Sequence, residues 1–110
     1  MKQKDIWLAD LEPVKGSEQG KTRPIVIISG DTMNDNFPVI IACPLSSVIK
    51  NFENCVVIKK NAKTGLSSDS EVITFQIRTI SKTRLTKKLG EISEPDLDEI
   101  IEGLNDVLRF

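Results

Sequence analysis

Apolar and polar residues along this chain fall into several short strand-like runs, and only the last segment shifts to a helical spacing. Asp5 to Leu11 predicts a first strand, with Trp7 and the aliphatic residues supplying two faces and Pro13 marking its end. Pro24 to about Ser29 predicts a second strand, because the β-branched run Ile25-Val26-Ile27-Ile28 reads as a buried one. Gly30-Asp31, extended by Asn34, Asp35 and Asn36, predicts a turn. Val39 to Cys43 predicts a third strand, Ser46 to Asn51 an irregular loop, Cys55 to Lys59 a fourth strand, and Asn61 to Gly65 another turn.

The most regular alternation runs from Glu71 to Ile80. There Val72, Thr74, Gln76 and Arg78 alternate with Ile73, Phe75, Ile77 and Thr79, which predicts one strand with an apolar face and a face carrying Gln76 and Arg78. Ser81 to Arg84 reads as a short helical turn and Lys88 to Ile92 as a last strand. The period then changes: Leu97, Ile100, Ile101, Leu104, Val107 and Leu108 recur at helical spacing behind Ser93 as N-cap, with Asp96 three residues on and Pro95 in the first turn. The helix gathers its acidic residues toward its N-terminal half, where its dipole favours them. Five to seven short strands and one terminal helix predict a mainly β fold, a small, strongly bent, largely antiparallel barrel with a helix as cap. No parallel βαβ pattern, internal repeat or linker is visible, so residues 1–110 read as one domain.

Composition narrows the classes without naming one. With 39% hydrophobic and 28% charged residues, the chain reads as an ordinary soluble domain, and no apolar run is long enough to span a bilayer. No membrane partner is expected. The N-terminus, Met1 to Trp7, has positive charge but no long apolar stretch, so it does not read as a secretory signal and a cytoplasmic location is expected. Cys43 and Cys55 fall inside apolar runs and read as small buried thiols, since histidine is absent and no common zinc set can be completed. The same absence excludes Ser-His-Asp and Cys-His catalysis. Net charge of −1 hides an asymmetry: residues 1–90 carry 14 Lys or Arg against 9 Asp or Glu, whereas residues 91–110 carry 1 against 7. That division fits a polyanion-binding surface beside an acidic tail, although charge alone favours a plain solvated helix face.

The stretch Gly16-Ser-Glu-Gln-Gly-Lys-Thr22 resembles a phosphate-binding loop on quick reading, but the motif needs four residues before Gly-Lys-Thr and has three. It is also followed by Arg23-Pro24 and a strand, not by the helix whose N-terminus would face the phosphate. Spacing and context thus argue against nucleotide hydrolysis, a third option that predicts magnesium-dependent ATP turnover. Gly16 and Gly20 are instead expected to bound a mobile flap.

Several segments, in order, resemble the MazF/PemK/Kid family of toxin endoribonucleases from bacterial toxin–antitoxin systems. The match runs from Asp5 to Gly20, through Thr22-Arg23-Pro24, Pro44-Leu45-Ser46-Ser47 and Ser70-Glu71-Val72-Ile73, to Gln76-Ile77-Arg78-Thr79-Ile80-Ser81-Lys82-Thr83-Arg84-Leu85. The resemblance implies an SH3-like β-barrel with a C-terminal helix (the CcdB/PemK-like toxin fold) and a homodimer. It also implies metal-independent, cofactor-free, sequence-specific cleavage of single-stranded RNA such as mRNA. A cognate antitoxin would neutralise the activity, and DNA would be reached only indirectly, through that antitoxin. The catalytic pair it implies is Arg23 and Ser46, the latter a serine where the family more often has threonine. The hydroxyl is kept and the rotamer-restricting methyl is lost. Glu18, Gln19 and Lys21 in the loop, with Gln76 and Arg78 on the later strand, are the candidate RNA contacts.

The chemistry needs neither histidine nor metal, because RNA carries its own nucleophile in the 2′-OH beside the scissile phosphate. Arg23 suits the developing phosphorane charge, since its planar donors match phosphate oxygens and it stays protonated. Ser46 would donate to a phosphate oxygen or orient the 2′-OH; no adjacent base exists to make it a covalent nucleophile. The expected ends are a 2′,3′-cyclic phosphate and a 5′-OH. The general base is left open, with Glu18 one option. Trp7 and Phe75 read as core or dimer-interface residues, and with 5% aromatics and no tyrosine a base-stacking sheet is not expected. The alternative, motivated by Ser46 and a pI near 5.5, is a barrel of the same fold that binds nucleic acid or protein without cutting.

Overall fold

A computed structural model describes residues 1–11 and 21–110 of the chain. The elements are β1 (Asp5–Leu11), β2 (Lys21–Ile27), α1 (Asp31–Asn36), β3 (Val39–Ser46), β4 (Val56–Ile58), β5 (Ser70–Val72), β6 (Arg78–Ser81), β7 (Leu85–Glu91) and α2 (Glu94–Arg109). Single 3₁₀ turns at Thr74–Gln76 and Lys82–Arg84 stand before β6 and β7. The glycine-bounded loop read as a flap, with Glu18 and Gln19 in it, lies outside the described residues.

The strands form one antiparallel sheet in the order β4-β5-β3-β2-β1-β7, with β6 also paired to β3. β3 organises it. One of its edges takes β2, and the other takes β6 along Val39–Ala42 and then β5 at Leu45 and Ser46. The pairing of β1 with β7 is irregular at two places, between Ile6 and Trp7 and between Leu8 and Ala9, and such bulges add twist and bend. The result is a mainly β half-barrel with a C-terminal helix.

β2 is buried on both faces, as its β-branched run predicts: Ile25, Val26 and Ile27 are all inaccessible to solvent. Val26 joins Ile6, Cys43, Leu45, Ile58, Val72 and Ile92 beneath Leu97, Ile100 and Leu104 of α2. Ile25 and Ile27 join Ala9, Ile40, Ala42, Ile80 and Leu85 in a second layer. Each such aliphatic side chain stabilises the fold by roughly 1.5–3 kcal/mol when fully buried. α2 begins as the sequence predicts, with the Ser93 hydroxyl accepting from the Asp96 N–H at 3.2 Å and Pro95 in the first turn.

The expected single strand over residues 71–80 is instead broken in two. β5 ends at Val72, a 3₁₀ turn follows at Thr74–Gln76, and β6 resumes at Arg78. The break lets the segment step from the C-terminal end of β3 to its N-terminal half, with the Ile73 N–H donating to the Pro44 carbonyl at 2.9 Å between the two ladders. It also exchanges the expected places of two residues, while Ile73 stays buried and Gln76 and Arg78 stay exposed as expected. Thr74 is fully buried and donates to the Asn54 carbonyl at 3.0 Å, whereas Phe75 is 48% exposed. Residues 31–36, read as a turn, form α1. Its six residues show no apolar stripe, and it is held by tertiary bonds: the Gln3 N–H donates to Asp31 at 2.8 Å, and the buried Asn34 side chain donates to the Ser29 carbonyl at 2.8 Å. The last strand starts three residues earlier than predicted, at Leu85, and ends at Glu91. Among the described residues, no helix is long and apolar enough to cross a membrane.

Candidate active site

Arg23 lies in β2 opposite Ala9 of β1, just ahead of Pro24, which lacks an N–H and restricts the backbone of the residue before it. On its other side β2 pairs with β3 through Ile25↔Pro44, Val26↔Cys43 and Ile27↔Ala42. Continuing that register by two residues brings Arg23 level with Ser46, the last residue of β3. Two residues 23 positions apart in sequence thus reach one place because two strands share a register. Arg23 is exposed and Ser46 half-buried, so both can meet a ligand.

The pair stands between two adjoining concavities. The larger, of about 540 Å³, runs from Arg23, Pro24 and Ser46 toward Gly65, Ser67 and Ser70. The smaller, of about 260 Å³, runs from Arg23 and Ser46 toward Lys50, Phe52, Phe75 and Gln76. Arg23, Leu45, Ser46 and Val48 line both. The larger falls within the usual size range of ligand clefts, about 300–1,000 Å³.

Local hydrogen bonds explain how the rim is held. The Ser46 hydroxyl accepts from the Val48 N–H at 3.2 Å and lies 3.2 Å from the Val48 carbonyl, a tight side-chain turn that starts the loop after β3. Across the β3–β5 ladder from Ser46 is Glu71, which is completely buried. Its two carboxylate oxygens accept from the backbone N–H groups of Lys50 and Phe52, each at 2.8 Å. A buried carboxylate is tolerated only when such donors replace its water. Both carboxylate oxygens therefore point into the loop that walls the smaller concavity, where Asn51, between the two donor residues, has φ 54°. In the wall of the larger concavity Gly65 has φ 66°, and a Cβ there would fall 2.0 Å from the Leu89 carbonyl oxygen, so only glycine fits.

Of the predicted site residues, the structure brings together Arg23, Ser46 and Gln76. Arg78 is exposed on β6 opposite Ala42 and lines neither concavity. Lys21 opens β2, and its side chain, like Glu18 and Gln19, lies outside the described residues. Lys50, Phe52 and Glu71 were not singled out by the sequence pattern. The available signal for Glu71 was its place in the segment Ser70-Glu71-Val72-Ile73 that resembles the family. Phe75 does not join the core, because the 3₁₀ turn swings it outward. Cys43 is buried, as expected, and burial pushes its thiol up to about 12; Cys55 is half-buried, and both are free. Among the described residues, no cluster of three or more Cys, Asp or Glu could hold a metal ion.

A curled antiparallel sheet with one C-terminal helix, and an arginine and a serine that line the same rim, defines a small β half-barrel. The solved MazF of Deinococcus radiodurans shares the fold with a TM-score of 0.78 at 24% identity, over 99% of this chain and 96% of that one. A mycobacterial endoribonuclease solved with its cognate antitoxin gives 0.79 at 18% identity, over 98% and 94%. The family described as PemK-like, MazF-like toxin of type II toxin–antitoxin system matches residues 2–108, and the chain belongs to it. Two relatives named endoribonuclease MazF support this. The one from Staphylococcus saprophyticus is 41% identical over 107 residues, 96% of this chain and 88% of that one. The one from Staphylococcus epidermidis is 42% identical over 103 residues, 92% and 85%.

Proposed function

We propose that this protein is the toxin of a type II toxin–antitoxin pair, an endoribonuclease that cuts single-stranded RNA at a short sequence. The observation that carries the reading is the β2–β3 register that sets Arg23 level with Ser46 at the rim of two concavities. Arg23 binds the scissile phosphate through its planar donors and stabilises the charge that grows as the 2′-oxygen attacks phosphorus. Ser46 donates to a phosphate oxygen or aligns the 2′-OH. The P–O5′ bond breaks, leaving a 2′,3′-cyclic phosphate on one fragment and a 5′-OH on the other. No metal or cofactor takes part, and DNA is spared for want of the 2′-OH.

Residues 1–110 act as one domain, which works in the cytoplasm as a homodimer and is held inactive by a cognate antitoxin; DNA is met only through that antitoxin. The mycobacterial and Deinococcus relatives solved together with an antitoxin support the partner. Ile101 midway along α2, Leu108 in its last turn and Phe110 just beyond it are exposed and offer apolar surface for an interface.

The test is a long single-stranded RNA incubated with the purified protein in EDTA. Wild type is expected to cut at a recurring short sequence and to leave 5′ ends that accept phosphate from polynucleotide kinase without prior dephosphorylation. Intact RNA, or equal cutting by Arg23→Ala, would overturn the reading.

A further inference from the structure

Phe52 and Phe75 meet at the mouth of the smaller concavity with ring centroids 5.1 Å apart and planes at 90°. They are 41% and 48% exposed, in a chain that otherwise packs most of its large apolar side chains inward. Neither position is accidental. Phe52 sits in the loop whose backbone the buried Glu71 carboxylate grips at Lys50 and Phe52, and Phe75 sits in the 3₁₀ turn that Thr74 anchors to the Asn54 carbonyl. The two rings are thus held from beneath while their outer surface faces solvent.

The neighbours give this surface a chemistry. Its concavity shares Arg23 and Ser46 with the larger one, so whatever occupies it lies next to the scissile phosphate of the reaction proposed above, on which this inference rests. Lys50 adds a cation for a flanking phosphate, and Gln76 adds an amide able both to donate and to accept. An apolar aromatic edge, an amide and a cation beside an RNA-cutting pair match an unstacked base, its hydrogen-bonding edge and its phosphate. A cavity of about 260 Å³ admits one such base.

We propose that Phe52 and Phe75, with Gln76 and Lys50, form a subsite that takes one unstacked RNA base adjacent to the cut and so helps set the cleavage sequence. Aromatic rings accept any base face, so Phe52 and Phe75 supply affinity and Gln76 supplies discrimination.

The experiment compares wild type, Phe52→Ala, Phe75→Ala, Phe75→Leu, Phe75→Tyr and Gln76→Ala. It measures binding of an RNA made uncleavable by a 2′-deoxy substitution at the cut, cleavage maps on a randomised RNA pool, thermal melts and mass by light scattering. Loss of an aromatic platform is expected to weaken binding by roughly 5- to 150-fold, the range found when a base-stacking ring is removed. Phe75→Leu, which keeps apolar bulk, should fold and show the loss; Phe75→Tyr should restore binding. Gln76→Ala should relax the preference at one position of the map while the others hold. If wild type cuts but Phe75→Leu and Phe52→Ala bind and cut with unchanged affinity and map, the subsite is overturned. It is equally overturned if the phenylalanine variants change only the mass of the assembly, which would make the edge a protein interface. If wild type cuts no RNA, the functional reading itself fails.

Discussion

Glu71 and Phe52 are joined by a 2.8 Å hydrogen bond from a backbone N–H to a carboxylate that no solvent reaches. With the matching bond from Lys50, this bond ties the loop after β3 to β5, directly across from Ser46. Glu71→Gln keeps the shape but places an NH₂ donor against one of two N–H donors. The loss of one acceptor at a buried site costs on the order of 1–3 kcal/mol. A fall in urea midpoint of that size is expected, with a drop in RNA cleavage at temperatures where the variant is still fully folded.

Arg23 and Ser46 differ in what they can be replaced by. Arg23→Ala is expected to slow cleavage by about a hundredfold to a thousandfold, as the loss of a preorganised donor does, and Arg23→Lys to recover only part because a single ammonium cannot bind two oxygens side by side. Ser46→Thr keeps the hydroxyl and should cut at a rate near wild type, whereas Ser46→Ala should not. Single-turnover rates on a chimeric oligonucleotide with one ribonucleotide separate the chemical step from binding.

Gly103 lies on the buried side of α2 where the helix meets the loop before β4. A Cβ there would stand 2.3 Å from the Asn54 carbonyl oxygen, the same carbonyl that accepts from Thr74. Gly103→Ala gains helix propensity of about 1 kcal/mol. Overpacking against backbone costs typically 1–3 kcal/mol, so a net loss in thermal stability is expected. Asn105→Ala, exposed on the same helix, should show no such loss.

The two thiols should separate by reactivity. Burial holds the Cys43 thiol near 12, so it stays protonated and inert, while Cys55 is only half-buried. Thiol reagent at pH 8 is expected to label Cys55 faster than Cys43 in the folded protein, and both equally in denaturant, as read by peptide mass spectrometry. Fast native labelling of Cys43 would contradict its placement in the core.

Asp69 accepts from the Lys60 N–H at 2.8 Å, and that bond, ahead of the charge of Lys59, holds its carboxyl below the ordinary value. A pKa lower in the folded than in the unfolded chain stabilises the fold above the unfolded value of about 3.9. The stabilisation is lost as pH falls through the folded value. Asp69→Asn should therefore narrow the difference in melting temperature between pH 6 and pH 3.

Much of the architecture was legible in the residues themselves. The helix from Glu94 was plain because Ser93, Pro95 and an apolar stripe all act within a few positions of one another. β2 was plain because a run of β-branched residues, Ile25 to Ile28, suits a strand buried on both faces. The family pattern pointed to Arg23 and Ser46, strand alternation put Gln76 and Arg78 forward as RNA contacts, and local chemistry explained why an arginine and a hydroxyl suit a histidine-free cut.

Alternation along 71–80 failed because it assumes one strand with two constant faces. The pull of β3, which offers two separate lengths of edge, broke that strand and turned Thr74 in and Phe75 out. α1 was invisible because its hold comes from Gln3 and Ser29, outside its own six residues. The meeting of Arg23 with Ser46, and of Phe52 with Phe75, was likewise decided by tertiary structure. Sequence by itself determined which residues could bend, bury or carry charge, since those properties act over a few bonds. Which of them share a site depended on strand register and buried hydrogen bonds, which exist only once distant segments have come together.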